Sequence, residues 1–229
     1  MIEIKELVRT YQTGDMEVRA LRNIDLSIGE GEFVAIAGPS GSGKTTLLNL
    51  IGCIDEPDAG TVTIDGITVH EQKPKERAVF RRNNLGFVFQ SFNLIPVLTA
   101  EENIALSLEL LNLPSEERKE RVRKIIEEVG LTGMEDRRPS RLSGGQQQRV
   151  AVARALIKEP KLILADEPTA NLDSETGGAI LNLMHALNRK HNTTFIFSTH
   201  DPAVMEKADR LISLHDGAVV SDERRNHRG

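Results

Sequence analysis

The segment Gly38-Pro39-Ser40-Gly41-Ser42-Gly43-Lys44-Thr45, followed by Thr46, is the most informative part of this sequence. It fits the pattern G-x-x-x-x-G-K-[ST], in which glycines let successive backbone N–H groups point inward at phosphate oxygens. The lysine ammonium would reach the β- and γ-phosphates, and the Thr45 hydroxyl would ligate Mg²⁺. The same letters could also form a plain surface turn, so the flanking sequence has to decide.

The flanks of this stretch favour a phosphate-binding loop. Before it, residues 33–37 read Phe-Val-Ala-Ile-Ala, a continuous apolar run typical of a strand buried on both faces. After it, residues 45–54 predict an apolar helix, whose N-terminus adds the positive end of its dipole. Strand, loop and helix in this order are the context that the motif requires.

The rest of the chain alternates between strand and helix patterns, which predicts an α/β fold with a parallel sheet. Strands are expected at residues 1–8, 21–28, 161–165, 193–198 and 211–214, with a hairpin at 61–69. Helices are expected at residues 115–129 and 146–158. The polar residues 221–229 are expected to form a loose tail.

The predicted helix at residues 115–129 carries charges on one face and apolar residues on the other. Glu120 and Lys124, and likewise Lys124 and Glu128, are four residues apart and are expected to pair on the exposed face. Gly130 is expected to end this helix.

Composition excludes several classes of protein. Hydrophobic residues make up 39% and charged residues 28% of the chain, and the net charge is −5. A mildly acidic protein is not expected to bind nucleic acid. Cys53 is the one cysteine, so no internal disulfide is possible. No stretch approaches the ~20 apolar residues of a membrane-spanning helix, so any membrane role is expected to come through a partner.

Two acids follow the apolar run at residues 162–165, namely Asp166 and Glu167. Acids at the carboxyl end of a buried strand fit the rule for ligand sites in α/β sheets. Asp166 is suited to hold Mg²⁺ through its waters, and Glu167 to polarise an attacking water. A simple acidic turn is the alternative, and the upstream phosphate loop favours the site.

The sequence Leu142-Ser143-Gly144-Gly145-Gln146 precedes the second predicted helix. A serine and two glycines at a helix start form a second anion cradle, although an ordinary N-cap would also place a serine there. One nucleotide already has its cradle at residues 38–45. The second cradle is therefore expected to serve the nucleotide of another copy of the chain.

Taken in order, these motifs resemble the ATP-binding-cassette (ABC) ATPase family, and the resemblance covers nearly the whole chain. The motifs are the phosphate loop, Gln90, the pentapeptide at 142–146, Leu164-Ala165-Asp166-Glu167 and His200. Within the family the chain resembles the lipoprotein-release and macrolide-export (LolD and MacB) type, through Gly86-Phe87-Val88-Phe89-Gln90 and Leu98-Thr99-Ala100-Glu101-Glu102-Asn103.

The resemblance implies a fold and a set of roles. The fold is a P-loop NTPase (RecA-like) parallel-sheet core with an antiparallel β subdomain and an α-helical subdomain inserted at about 91–158, in one domain of residues 1–229. Ser143, Gly144, Gly145 and Gln146 would clamp the γ-phosphate bound to the other subunit, and Asp173 would signal across the dimer. Other roles fall to single residues: Tyr11 would stack on adenine, Gln90 would touch Mg²⁺ and the attacking water, and His200 would bond the γ-phosphate.

Two of these roles have structural alternatives in the sequence itself. Tyr11, the only tyrosine, could instead pack on the sheet, and His200 could simply cap the end of a strand. Neither alternative is excluded by the residues alone.

The resemblance also implies an activity and partners. The reaction is ATP + H₂O to ADP + phosphate, with Mg²⁺, in a homodimer that ATP closes. A separate membrane permease would dock near the stretch from Gln90 to Leu113, which places the chain in the cytoplasm on the inner face of the membrane. The alternatives are a soluble cassette of DNA repair or of the ribosome, a small-molecule kinase, and a non-catalytic nucleotide-binding module.

Overall fold

The structure is a computed structural model that describes residues 1–14, 16–109 and 111–225. Its strands are β1 (Ile2–Thr13), β2 (Met16–Ile28), β3 (Phe33–Ala37), β4 (Ala59–Ile64), β5 (Ile67–Thr68), β6 (Leu85–Phe89), β7 (Leu162–Asp166), β8 (Thr194–Thr199), β9 (Arg210–His215) and β10 (Ala218–Arg224). Its α-helices are α1 (Lys44–Ile51), α2 (Pro74–Asn84), α3 (Ala100–Ala105), α4 (Ser115–Glu128), α5 (Gly144–Leu156), α6 (Ser174–His191) and α7 (Pro202–Met205). Short 3-10 turns lie at Val69–Glu71, Leu106–Leu108 and Pro139–Arg141.

The larger sheet has the strand order β10-β9-β3-β8-β7-β6. Strands β9, β3, β8, β7 and β6 run parallel, and β10 closes one edge antiparallel to β9. Every residue of β3 and of β8 is buried, as expected for parallel strands covered on both faces. The predicted parallel α/β core is therefore confirmed.

A second sheet is antiparallel, with the order β2-β1-β4-β5. The hairpin between β4 and β5 turns at Asp65 and Gly66, as the sequence predicts. Buried residues of this sheet, such as Ile4 and Ile24, share one hydrophobic cluster with Leu47 of α1. The antiparallel sheet therefore packs on the side of the core that carries α1.

The predicted elements are present, although β1 runs on to Thr13 and β2 begins at Met16. Strand β6 and the helices α2, α6 and α7 were not predicted. Helix α2 was not predicted because its sequence is polar, and Phe80 is its one buried residue. Strand β6 contains Gly86, a residue that is rare inside strands. A Cβ at Gly86 would lie 2.7 Å from the carbonyl oxygen of Ala155, so the glycine lets α5 approach the strand.

Helices α3, α4 and α5 pack on one another and bury apolar side chains that include Ile104, Ile126 and Val150. They account for the helical character predicted over residues 91–158. The division of the chain into subdomains stays a prediction. No helix among the described residues combines the length and the apolar character needed to cross a membrane.

The predicted charge pairs on α4 are wrong. The Arg123 guanidinium binds both carboxylate oxygens of Glu120, at 3.0 and 2.6 Å. A planar guanidinium forms such a double contact, whereas the Lys124 ammonium is a single point charge. Glu128 lies under the end of α6, where Lys190 and His191 bind it at 3.0 and 2.7 Å.

The prediction of a loose tail at residues 221–229 is also wrong in part, because β10 continues to Arg224. The buried Arg210 of β9 explains the extension, since its guanidinium donates to both carboxylate oxygens of Asp222, at 2.8 and 2.7 Å. The same guanidinium binds Glu32 at 2.7 Å. Residues 226–229 of the predicted tail lie outside the described residues.

This ion pair predicts an acid-sensitive contribution to stability. Hydrogen bonds from Arg210 lower the pKa of Asp222 below its ordinary value of 3.8. The contribution is therefore full above that value and is lost as the pH falls through the lower pKa of the folded state. Asp222→Asn should lower the free energy of unfolding by about 1 kcal/mol near neutral pH, and the difference from the wild type should shrink in acid. Urea unfolding at several pH values measures it.

The control variant is Glu223→Gln on the same strand, because the Glu223 side chain is exposed and makes no hydrogen bond or ion pair among the described residues. It should match the wild type within about 0.5 kcal/mol. Equal unfolding free energies for Asp222→Asn and the wild type at neutral pH would contradict the prediction.

Candidate functional site

The site forms where parallel strands end at one edge of the core sheet. Ala37 pairs with Thr199, Asp166 pairs with Ser198, and Phe89 pairs with Asp166, so β3, β8, β7 and β6 finish at the same level. The residues that follow these strands therefore meet at this edge, which is where ligands bind in open α/β sheets.

The loop after β3 is bent into a cradle. Gly38, Gly41 and Gly43 have φ angles of 156°, 80° and 101°, in the region that favours glycine. A Cβ at Gly38 would lie 2.2 Å from the Leu214 carbonyl oxygen, and one at Gly43 would lie 2.5 Å from that of Ala20. The buried Ser42 hydroxyl finds no hydrogen-bond partner among the described residues.

Lys44 begins α1 and sends its side chain back over the loop. Its ammonium donates to the carbonyl oxygens of Gly38 and Pro39, at 2.8 and 2.9 Å. The residue is 7% exposed, so the positive charge is concentrated at the cradle. Anionic oxygens entering the loop would compete for the same donors, and they are the stronger acceptors.

Asp166 and Thr45 lie together next to the cradle. The Thr45 Oγ1 is 3.2 and 3.3 Å from the two carboxylate oxygens of Asp166, and the Ser198 hydroxyl donates to Asp166 Oδ1 at 2.5 Å. No role was predicted for Ser198, although a polar residue at the end of a buried strand was the available signal.

Glu167 has an unusual backbone. Its φ angle is 44°, which is uncommon for a residue with a side chain, and its N–H donates to the Ser198 hydroxyl at 2.9 Å. Strain of this kind is found at functional sites, where the surroundings hold the residue in place. The Glu167 Oε1 lies 2.9 Å from the Nδ1 of His200. His200 thus orients the acid in addition to following the end of β8.

Ten of the predicted site residues line two neighbouring clefts. One, of about 460 Å³, is lined by Tyr11, by the loop residues Ser40, Gly41, Gly43, Lys44, Thr45 and Thr46, and by Glu167. The other, of about 480 Å³, is lined by Gln90, Glu167 and His200 among others. Both are within the usual size range of ligand pockets, and Glu167 lines both.

Gln90 follows β6 and is exposed at the second cleft. Its carbonyl oxygen accepts a hydrogen bond from the Asn171 amide at 3.0 Å. The contact ties the segment after β6 to the segment between β7 and α6.

Tyr11 lies on β1 at the wall of the first cleft, but its hydroxyl is already bound. It donates to the Asp55 carboxylate at 2.7 Å, and the Arg9 guanidinium lies 4.8 Å above the ring centroid. The residue is therefore anchored by Asp55, which follows α1, and by Arg9 of its own strand, and it lines the cleft. Stacking on adenine stays a prediction.

The segment from Ser143 to Gln146 lines neither cleft of its own chain. Ser143 caps α5, because its hydroxyl accepts from the Gln146 N–H and the Gln146 side chain accepts from the Ser143 N–H. The two glycines have a packing role as well. A Cβ at Gly144 would lie 3.1 Å from Leu172, and one at Gly145 would lie 2.5 Å from Thr176.

Asp173 begins α6 as its N-cap, since its carboxylate accepts the Thr176 N–H at 2.9 Å. Hydrogen bonds with the backbone and side chain of Thr176 lower its pKa. Like Ser143, Asp173 lies outside both clefts.

The donor set fits a nucleotide with Mg²⁺. A Cβ at Gly38 or Gly43 would collide with a backbone carbonyl oxygen, so the shape of the cradle depends on these two glycines. The buried Ser42 hydroxyl has no partner among the described residues and can bind a ligand oxygen. Mg²⁺ prefers oxygen ligands and takes few of them from protein, which suits one hydroxyl and one carboxylate at Thr45 and Asp166.

Comparison with known proteins places these features in a family. The family model described as "ABC transporter" matches residues 21–170. The uncharacterized ABC transporter ATP-binding protein YvrO of Bacillus subtilis is 46% identical over 98% of this chain and 97% of its own. The macrolide export ATP-binding/permease protein MacB of Syntrophobacter fumaroxidans is 44% identical over 96% of this chain, which spans 31% of that relative.

A solved structure gives the same result. It is a dimeric post-hydrolysis state of the ATP-binding cassette MJ0796 bound to ADP and Pi, with a TM-score of 0.88 and 46% identity over 98% of both chains. The corresponding MJ0796 sequence belongs to Methanocaldococcus jannaschii. The loop, the paired acids and the ends of the parallel strands agree with this assignment, and the chain belongs to the ABC transporter family, as one of its ATP-binding ATPase cassettes.

Proposed function

We propose that two copies of this chain hydrolyse ATP and drive a separate membrane permease, on the cytoplasmic face of the membrane, in lipoprotein release or in export. The observation that carries the catalytic part is the position of Glu167, bonded to His200 and lying between the phosphate cradle and Gln90.

The cradle binds the phosphates. Backbone N–H groups of the loop and the N-terminus of α1 attract anionic oxygens, and Lys44 adds a buried positive charge beside them. Because phosphoryl transfer spreads charge over the phosphate oxygens, these fixed donors stabilise the transition state.

Thr45 and Asp166 would hold Mg²⁺, with Gln90 as a further ligand from the second cleft. When bound, the ion neutralises charge on the phosphate oxygens. Ser198 keeps the Asp166 carboxylate in place through its 2.5 Å hydrogen bond.

Glu167 would orient the water that attacks the terminal phosphorus. The bond to His200 and the bond from its own N–H to Ser198 fix the carboxylate at the mouth of the cleft. A group held in this way loses little entropy when the water is bound, which lowers the barrier. The His200 ring would also bond the terminal phosphate.

A homodimer gives the second cradle a function. Ser143, Gly144, Gly145 and Gln146 face neither cleft of their own chain, yet they form a helix N-terminus that attracts anions. The dimeric form of MJ0796 supports placing them on the γ-phosphate bound to the other copy. Asp173 would then transmit the state of one site to the next.

The permease would contact the segment that follows Gln90. In this segment Ile95 and Val97 are 38% and 70% exposed, and Leu106 is 40% exposed. Such a group of exposed apolar side chains suits a short helix of a partner. Phe92 and Leu94 are only half exposed, and Leu94 packs against the core. Leu110 lies outside the described residues.

The backbone of this segment is held by Arg154 of α5. The guanidinium donates to the carbonyl oxygens of Phe92 and Asn93, at 2.7 and 2.5 Å. The relatives named MacB combine ATP-binding and permease parts in one protein, which supports a permease as the partner of this chain.

Glu167→Gln should keep ATP binding and lower turnover by a factor of about 100 or more, because it removes the carboxylate and leaves the cradle. Lys44→Ala should weaken ATP binding itself. Phosphate release and calorimetric ATP titration measure the two effects. Glu127→Gln, on the exposed face of α4, is the matched control. Turnover at the wild-type rate in Glu167→Gln would rule out this acid as the catalytic group.

ATP should also control the oligomeric state. Glu167→Gln protein with ATP and Mg²⁺ should elute as a dimer in size exclusion, since neither copy alone surrounds the nucleotide. The same protein with ADP should elute as a monomer. Adding Ser143→Ala should weaken the dimer. A monomer in both nucleotides would count against the shared site.

Val97→Asp should abolish co-purification with the permease, because a charge would have to be buried in an apolar contact. ATP hydrolysis by the isolated chain should stay within about twofold, as the side chain is on the surface. Val220→Asp is the control, since Val220 of β10 is 64% exposed and lies outside this segment. If the Val97→Asp variant still binds the permease, the docking surface lies elsewhere on the chain.

A further inference from the structure

Tyr11 belongs to a network of charged residues that the catalytic proposal leaves unused. The Asp55 carboxylate accepts the Tyr11 hydroxyl at 2.7 Å and two N–H groups of Arg9 at 3.0 and 2.8 Å. The third nitrogen of Arg9 donates to Asp58 at 2.9 Å. The ring is therefore fixed at its hydroxyl by Asp55 and over one face by the guanidinium, 4.8 Å from the centroid.

The network joins the cleft wall to the phosphate-binding helix. Asp55 follows α1 by a short segment, in which the N–H groups of Ile54 and Asp55 both donate to the Asn49 carbonyl oxygen, at 2.9 and 3.3 Å. Asp55 is thus held by α1, whose other end is the cradle. Through Asp55, the position of the Tyr11 ring is set relative to that cradle.

The charges of Asp55 and Arg9 favour a lasting hydrogen bond between Asp55 and the Tyr11 hydroxyl. Burial acts to raise the pKa of Asp55, but hydrogen bonds from Tyr11 and the Glu56 N–H, together with the charge of Arg9, outweigh it and lower the pKa. The carboxylate stays ionised and keeps accepting the Tyr11 hydroxyl. The Arg9 side chain is 21% exposed and that of Asp55 is 24% exposed, so solvent competes only in part.

We propose that Arg9 and Asp55 are positioning residues that hold the Tyr11 ring ready to stack on the adenine base. The inference rests on the proposed stacking by Tyr11. One face of the ring is covered by the guanidinium, which leaves the opposite face for the base, and a cation over a ring adds a further attraction. A ring fixed in advance does not have to be ordered by the ligand, which raises affinity for the base.

A purely structural role would tie β1 to the end of α1 without any effect on the base. The two roles differ in their dependence on the ligand. A positioning role affects ATP, which carries a base, and leaves inorganic tripolyphosphate unaffected. A structural role that disturbs the cradle affects both ligands equally.

Calorimetric titration of the full chain with ATP and with tripolyphosphate separates these cases. Asp55→Ala should weaken ATP binding by about 3- to 10-fold, the factor for immobilising one side chain on binding. Tripolyphosphate affinity should change by less than about twofold. Glu56→Ala is the matched control. It removes the same charge from the same loop, and the Glu56 carboxylate pairs with Arg77 rather than with Arg9 or Tyr11, so this variant should match the wild type.

A spectroscopic measurement reports on the ring directly. Tyr11 is the only tyrosine and the chain has no tryptophan, so intrinsic tyrosine fluorescence comes from this residue alone. Its anisotropy should be high in the wild type and in Glu56→Ala, and lower in Asp55→Ala. ATP should quench the emission in the wild type, because the base stacks on the ring.

Each outcome decides between the proposals. Unchanged ATP affinity in Tyr11→Ala would refute the stacking itself. Weaker ATP binding in Tyr11→Ala but unchanged affinity in Asp55→Ala would overturn the positioning role alone. Equal losses for ATP and tripolyphosphate in Asp55→Ala, or the same loss in Glu56→Ala, would also overturn it. Circular dichroism of each variant establishes that it is folded.

Discussion

The structure depends on the parallel alignment of β3, β8, β7 and β6, which makes their carboxyl ends coincide. Backbone hydrogen bonds between these strands fix the register, and the buried apolar side chains on both faces keep the strands from slipping. The cradle, Asp166 and Glu167, His200 and Gln90 come from distant parts of the sequence. They share one edge because four strands end there, and no single loop could bring them together.

The sequence was sufficient for the core strands β3, β7, β8 and β9 and for the cradle, because both rest on local patterns. An apolar run buried on two faces is typical of a strand in a parallel sheet. A glycine-rich turn between such a strand and a helix is typical of a phosphate-binding loop. Strand β6 and the helices α2, α6 and α7 were missed. Helix α2 is polar with one buried residue and has no periodicity to detect, β6 contains Gly86, α6 carries Gly177 and Gly178 near its start, and α7 has only four residues. Pairing on α4 was mispredicted because sequence spacing does not reveal that Glu128 lies beneath α6. The continuation of β10 depends on Arg210, whose partners Asp222 and Glu32 are far apart in sequence.

The residues that form the site could be predicted from the sequence. The hydrogen bonds and backbone conformations that hold them in place could not. Ser198 holds Asp166 through its hydroxyl and receives the N–H of Glu167, and Glu167 itself adopts a left-handed backbone. These hydrogen bonds join residues that are close in space but distant in sequence, so the spacing of residues along the chain does not predict them. The packing role of Gly144 and Gly145 could not be predicted either. They are needed for close packing against Leu172 and Thr176 as well as for any anion.

Arg154 links the segment that follows Gln90 directly to α5. Its guanidinium donates to the carbonyl oxygens of Phe92 and Asn93, which follow Gln90 closely in the sequence. Arg154 belongs to α5, the helix that begins at Gly144 after its N-cap Ser143. An α-helix of this length is a stiff rod of about 20 Å. A displacement of the Phe92 backbone must therefore either break the two charge-assisted hydrogen bonds from Arg154 or move α5 as a whole. Force applied at the surface near Val97 would in this way reach the far end of α5 without passing through the nucleotide.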